Sequence, residues 1–277
     1  MTHITIGAEK VSLEKPVVMG ILNVTPDSFY DGGKYTSELK IMERVDEIVE
    51  QGAGIIDVGA YSTRPGAAFV DAQEELSRLS FAVELIRKYY PHLPVSIDTF
   101  RSSVAARTIH KYGKVIINDI SAGELDPLIV DVVAEHDVPY VAMHMKGDPR
   151  TMQSMTDYRD IVAEVVDYFR ERTAQLRERG VRRIVVDPGF GFAKTLEQNY
   201  ELLRGLHSLA ELGYPVLAGV SRKSMIYKLL GTTPAEALNG TTALHWECLR
   251  QGAVILRAHD TREAVEVVRM FDQFMQA

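Results

Sequence analysis

Cysteine is almost absent: Cys248 is the single one in 277 residues. That excludes an internal disulfide framework and any metal site built from several thiolates, and leaves Cys248 to act as a small buried hydrophobe. No stretch of about 18 consecutive apolar residues occurs, so no membrane-spanning helix is expected. The opening Met1-Thr2-His3-Ile4-Thr5 lacks the basic and apolar regions of a secretory signal. Positive charge is in the minority, 31 Lys and Arg against 38 Asp and Glu, for a net charge of −7. Nucleic acid and anionic membrane are therefore not expected as partners, because both are bound through excess Lys and Arg. An anionic ligand would need a local basic cluster. A cytoplasmic protein is the expectation. Internal repeats, low-complexity segments and interdomain linkers are also missing, which favours one domain over residues 1–277.

What is present is a rhythm. Eight short apolar runs rich in Val and Ile begin at Val17, Ile55, Val95, Val115, Val138, Ile184, Val216 and Val254. Runs without alternation suit strands buried on both faces, and their spacing of about 34 residues is that of a strand plus crossover helix. Amphipathic patterns fill the gaps. Leu76, Leu79, Val83 and Ile86 share a helical face, as do Val162, Val165, Val166, Phe169 and Leu176 within Asp157 to Arg179, which Gly180 is placed to terminate. A last helix is expected from about Thr261 to Met275, starting at a capping residue. Eight such units predict a (β/α)8 barrel; a doubly wound open sheet usually has fewer strands at this length. The first 15 residues are expected to form a short hairpin or plug over the barrel bottom.

In a barrel the C-terminal strand ends make the active face. The residues there are Asn23 to Gly33, Tyr61 to Gly66, Asp98 to Arg101, Asn118-Asp119, His144 to Gly147, Asp187 to Gly191, Ser221 to Ser224 and Arg257 to Asp260. A single Asp or Asn before a helix is usually a cap; eight polar strand ends favour a site. Asn23, Asp98, Asn118 and Asp187 follow strands one, three, four and six, whereas Lys223, Arg257 and His259 follow strands seven and eight, where barrels commonly bind phosphate. A phosphorylated substrate is expected. Asp98 and Asp187 are suited to read an amidine-like edge of a nitrogen-rich heterocycle, with Asn118 supplying a donor and an acceptor. The glycine segment Gly189 to Lys194 departs from the dinucleotide fingerprint at Lys194. His144, His245 and Trp246 read as structural, and Asn23 to Tyr35 as a mobile loop.

Together the motifs Asn23-Val24-Thr25-Pro26-Asp27-Ser28-Phe29, Ser62-Thr63-Arg64-Pro65-Gly66, Ser96-Ile97-Asp98-Thr99, Asn118-Asp119-Ile120, Met143-His144-Met145, Asp187-Pro188-Gly189-Phe190-Gly191-Phe192 and Ser221-Arg222-Lys223-Ser224 resemble the dihydropteroate synthase family, in order and over about Val17 to Asp260. The resemblance implies a (β/α)8 homodimer that uses Mg2+ and is a sulfonamide target. Its reaction condenses 6-hydroxymethyl-7,8-dihydropterin diphosphate with 4-aminobenzoate, giving 7,8-dihydropteroate and pyrophosphate in folate biosynthesis. It assigns Asp98, Asn118, Asp187 and Lys223 to the pterin, Asn23 to the metal, and Thr63, Arg257 and His259 to the diphosphate. Thr63, Pro65, Phe190, Lys223 and Ser224 would border the aminobenzoate, with Phe29, Asp31 and Arg64 carried on two loops. The charge layout favours pyrophosphate departure ahead of attack, SN1-like, with Asp31, Arg64 and Lys223 as catalytic groups. Tyr61 stands where many family members have Glu. Two alternatives are a catalytically silent pterin-binding subunit and a corrinoid-dependent methyltransferase.

Overall fold

The computed structural model describes residues 3–24, 34–61 and 70–277. Two short strands, β1 (His3–Ile6) and β2 (Glu9–Ser12), pair antiparallel as a hairpin. Eight parallel strands follow: β3 (Val17–Asn23), β4 (Ile55–Gly59), β5 (Val95–Asp98), β6 (Ile116–Asp119), β7 (Tyr140–Met143), β8 (Ile184–Asp187), β9 (Leu217–Ala218) and β10 (Ile255–Ala258). Their order is β8-β7-β6-β5-β4-β3-β10-β9, and a parallel bridge between Val186 and Val216 joins the two ends into a barrel. Each predicted run supplies one strand.

Helices cover the outside: α1 (Lys34–Glu50), α2 (Ala72–Tyr89), α3 (Ser102–Tyr112), α4 (Leu128–His136), α5 (Ile161–Glu178), α6 (Leu196–Arg204), the short α7 (His207–Ala210), α8 (Ser224–Leu230), α9 (Leu238–Arg250) and α10 (Thr261–Gln276). The α2 helix starts because the Asp71 carboxylate accepts from the Gln73 and Glu74 amides at 2.9 Å, and it buries Leu79, Val83 and Ile86. Asp160 caps α5 through the Ala163 amide at 3.0 Å, and Gly180, at φ +91°, turns the chain away after it. The start of α10 differs from the expected cap. Asp260 precedes it but makes no side-chain cap bond, because its carboxylate is taken by Arg222.

Strand residues two apart share a face, and that period builds the barrel interior in layers. Met19, Ile55, Ile116, Val141, Val185, Leu217 and Ile255 form an apolar floor that packs against Ile4, Ile6, Val11 and Leu13 of the N-terminal segment. The hairpin is thus the expected plug. Two residues further along the same strands the layer becomes Asp57, Asn118, Asp187 and Arg257, with Gly219 on the β9 side.

Candidate active site

Arg257 is the hub of this upper layer. From β10 it reaches past β3 to donate from Nε to Asp57 Oδ2 at 2.7 Å and from Nη2 to Asp98 Oδ2 at 2.8 Å. Asp57 is completely buried and also accepts from Asn118 Nδ2, at 3.2 Å to Oδ2, which leaves the amide oxygen of Asn118 as an acceptor. Burial pushes the Asp98 carboxyl up to about 7, the Arg257 guanidinium opposing and Asp57, Glu75 and Asp119 adding to the rise. Arg257 stays charged: burial works against it, and Asp57 and Asp98 more than compensate. Of the Asn118-Asp119 pair only the first serves the layer. Asp119 accepts from the Ser121 and Gly123 amides and from the Tyr140 hydroxyl at 2.6 Å, which makes it structural.

Asp187 closes β8, 5% exposed, with Oδ1 accepting from the Gly189 amide at 2.7 Å. Burial raises its pKa while Lys223 lowers it. Gly189 has φ +69°, and a Cβ there would lie 2.1 Å from the His144 carbonyl, so only glycine fits. Lys223, at the N-terminus of α8, donates from Nζ to the Phe190 carbonyl at 2.6 Å and sits 4.9 Å from the Phe192 ring centroid. Burial brings its pKa down to about 8 against the pull of Asp187. Ser224 follows it, half-buried.

Two contacts latch the β9 and β10 ends together. The Ser221 hydroxyl oxygen accepts the His259 amide and meets His259 Nδ1, both at 3.1 Å, and Arg222 holds Asp260 with two bonds of 2.8 and 2.6 Å. Asn23 ends β3 opposite Gly59 of β4. A Cβ on Gly59 would lie 3.5 Å from both Asn23 Oδ1 and Asp98 Oδ2, so the missing side chain leaves those oxygens a shared space.

Asn23, Asp98, Asn118, Asp187, Lys223, Ser224, Arg257 and His259 therefore all stand at the same end of the barrel, whereas Phe29, Asp31, Thr63, Arg64 and Pro65 lie outside the described residues. Two expectations need correction. Phe190 does not offer its ring to a ligand: the side chain is fully buried in the main core and only its carbonyl faces Lys223, while the half-buried Phe192 ring is the one beside the ammonium. Nor are the charges sorted by sign, since Arg257 lies between two aspartates rather than standing in a free basic cluster. Tyr61 packs edge-on against Phe100 with the Arg101 guanidinium 5.1 Å from its ring.

Sequence reasoning missed Asp57 and Lys194. Asp57 interrupts an apolar run, and a carboxylate inside a buried strand requires a partner; that signal was available. Lys194 is buried against His144, whose own pKa is pushed well down by burial and by Lys194 and Lys146. His144 is packed and neutral, in keeping with a structural role, and so is His245.

Residues 19–259 match the family of pterin binding enzymes. The dihydropteroate synthase of Escherichia coli strain K12 is 43% identical over 269 residues, covering 96% of this chain and 94% of the relative. Among solved structures, dihydropteroate synthase from Xanthomonas albilineans with 4-aminobenzoic acid superposes with a TM-score of 0.90 at 37% identity, covering 100% of this chain and 99% of the other. The same enzyme in complex with 7,8-dihydropteroate gives 0.87 at 35%, with 99% of each chain covered. The Yersinia pestis enzyme in a sulfonamide drug complex gives 0.92 at 36%, covering 99% and 100%. By fold, site and sequence alike, the chain belongs to the dihydropteroate synthase family of pterin-binding enzymes.

Proposed function

We propose that this chain condenses 6-hydroxymethyl-7,8-dihydropterin diphosphate with 4-aminobenzoate, releasing pyrophosphate and forming 7,8-dihydropteroate. The observation that carries the reading is the buried polar layer at the barrel mouth: Asp98, Asn118 and Asp187 present acceptors to a nitrogen-rich ring edge beside the Lys223 ammonium. The two aspartates, with pKa values raised by burial, gain most from N–H donors that remove that desolvation cost. Relatives solved with 4-aminobenzoic acid and with 7,8-dihydropteroate support the substrate pair.

The ring would rest on Asp98, Asn118 and Asp187, with Lys223 at the junction of the two substrates and Ser224 and Phe192 on the aminobenzoate side. His259 and Thr63 would face the diphosphate, with Arg257 contributing from its aspartate pair. Asn23, with its side-chain oxygen beside the space that Gly59 leaves open, would hold Mg2+ as a hard oxygen donor. Among the described residues no group of three or more His, Cys, Asp or Glu forms a protein cage for it. When bound, Mg2+ supplies a Lewis acid toward the departing pyrophosphate. No side chain need act as nucleophile: C–O cleavage running ahead of amine attack leaves a cationic methylene, which Asp31 would stabilise while Arg64 and Phe29 help exclude water.

Pyrophosphate release tests the reading. It should require both substrates and Mg2+, stop on chelation, and be inhibited by sulfonamides competitively with 4-aminobenzoate. Binding of both substrates without release would instead make the chain a silent pterin-binding subunit. Exposed Leu229 and Leu230 on α8, with Met270, Phe274 and Met275 on α10, support a homodimer that sedimentation would resolve from a monomer. None of the described helices is long and apolar enough to cross a membrane.

A further inference from the structure

Lys194 has no part in the roles given so far, yet it is 5% exposed and carries an amine into the interior. Its Nζ meets three acceptors: the Phe192 carbonyl at 2.9 Å, the Gly189 carbonyl at 3.0 Å and His144 Nδ1 at 3.0 Å. An ammonium has three donors and no acceptor, so the match is complete with His144 as an Nε2–H tautomer. Loss of a proton would not open the cluster, because the neutral amine keeps two donors for the carbonyls and its lone pair can accept from Nδ1–H.

The two carbonyls are the ends of one turn, closed by the Phe192 amide on Gly189 O at 3.1 Å. Everything that turn displays belongs to the site. The Gly189 amide holds Asp187 Oδ1 at 2.7 Å, the Phe190 carbonyl holds Lys223 Nζ at 2.6 Å, and the Phe192 ring lies 4.9 Å from the same Nζ. On its outer side the Gly191 amide donates to Asn199 Oδ1 at 2.6 Å, so α6 anchors the middle while Lys194 anchors the ends. A buried amine is costly unless all its donors are used; a surface lysine would serve equally well if this position only linked β8 to α6.

We propose that Lys194 is a positioning residue of the transfer site: by tying both ends of the 189–192 turn to His144 at the end of β7, it holds the Phe190 carbonyl and the Phe192 ring around Lys223 and so shapes the aminobenzoate end. This rests on the reading of the site given above. Of the three pterin acceptors only Asp187 is tied to this turn, through the Gly189 amide, while Asp98 and Asn118 hang from Arg257 and Asp57, so the pterin end is predicted to feel its loss less than the aminobenzoate end.

The test is pyrophosphate-release kinetics on wild type and Lys194→Met, with thermal unfolding measured on both. Lys194→Met is expected to fold, to raise KM for 4-aminobenzoate about tenfold or more, and to leave KM for the pterin diphosphate within about threefold. His144→Phe keeps a ring against Tyr168, removes one of the three acceptors, and should show the same split more weakly. Kinetics unchanged in folded Lys194→Met, or both KM values rising together, would overturn the proposal; so would failure of both variants to fold, since Lys194 would then serve the whole fold. A wild-type protein that releases no pyrophosphate with both substrates refutes the reading of the site itself. An active wild type without the split refutes only the role of Lys194.

Discussion

Loss of the Asp57 carboxylate would strand two groups at once, Arg257 Nε at 2.7 Å and Asn118 Nδ2 at 3.2 Å. Removing one partner of a buried ion pair typically costs about 3–5 kcal/mol, and since Asp98 would still hold Arg257 the lower end applies. Asp57→Ala, which leaves neither acceptor oxygen, should therefore lower unfolding stability by about 3 kcal/mol and weaken pterin binding roughly tenfold. Denaturant unfolding and calorimetric titration with a pterin check both, and unchanged pterin affinity would show that Asp57 supports the strand alone. At this scale the sequence discloses the site unevenly. Polar residues just after each apolar run were legible because a barrel exposes its strand ends, and Asp98, Asn118, Asp187, Lys223 and His259 all stand there. Asp57 is less legible because it lies inside a run, and motif position does not say which aromatic of Phe190-Gly191-Phe192 turns inward.

The elements divide the barrel into an end that stabilises and an end that acts. Period-two alternation sends Ile55 and Ile116 to the floor and Asp57 and Asn118 to the mouth, so one strand serves both purposes. Ile4 of β1 is 1% exposed against that floor. Ile4→Ala should cost about 2–4 kcal/mol by leaving a cavity, with KM for both substrates within about twofold of wild type in the folded protein. Unfolding curves and kinetics together check it; a large KM change would mean that the hairpin communicates with the mouth. Strand and helix positions were legible in the sequence because both depend on local periodicity. The start of α10 was less so, because Asp260 is diverted from capping by Arg222, 38 positions away in sequence.

For the whole molecule, the net charge of −7 leaves anion binding to a few local groups, and Arg257, held by two aspartates, contributes less free positive charge than the sequence suggested. Stability against pH follows from buried groups with opposing signs. His245 on α9 is 1% exposed with Nε2 lacking a partner, and burial brings its pKa from 6.5 to about 4 against the pull of Asp260. Its contribution is present above pH 6.5 and is lost as pH falls through 4, because the unfolded chain takes up a proton that the folded chain resists. Asp98 acts the other way: with its pKa raised from 3.8 to about 7, its contribution is full below pH 3.8 and lost as pH rises through 7. Comparison of wild type with His245→Phe separates the two. The fall in Tm between pH 6.5 and 4 should be smaller in the variant, by the equivalent of up to about 3 kcal/mol, and equal falls would remove His245 from the account.

The central claim is that the buried polar layer at the barrel mouth is what reads the pterin, and a crystal structure of the protein with a pterin diphosphate analogue and 4-aminobenzoate tests it most directly. The ring edge is predicted within hydrogen-bond distance of Asp98, Asn118 and Asp187, with Lys223 between the two ligands and the diphosphate toward Asn23 and His259. A pterin bound elsewhere, or in the mouth without those acceptors, would contradict it.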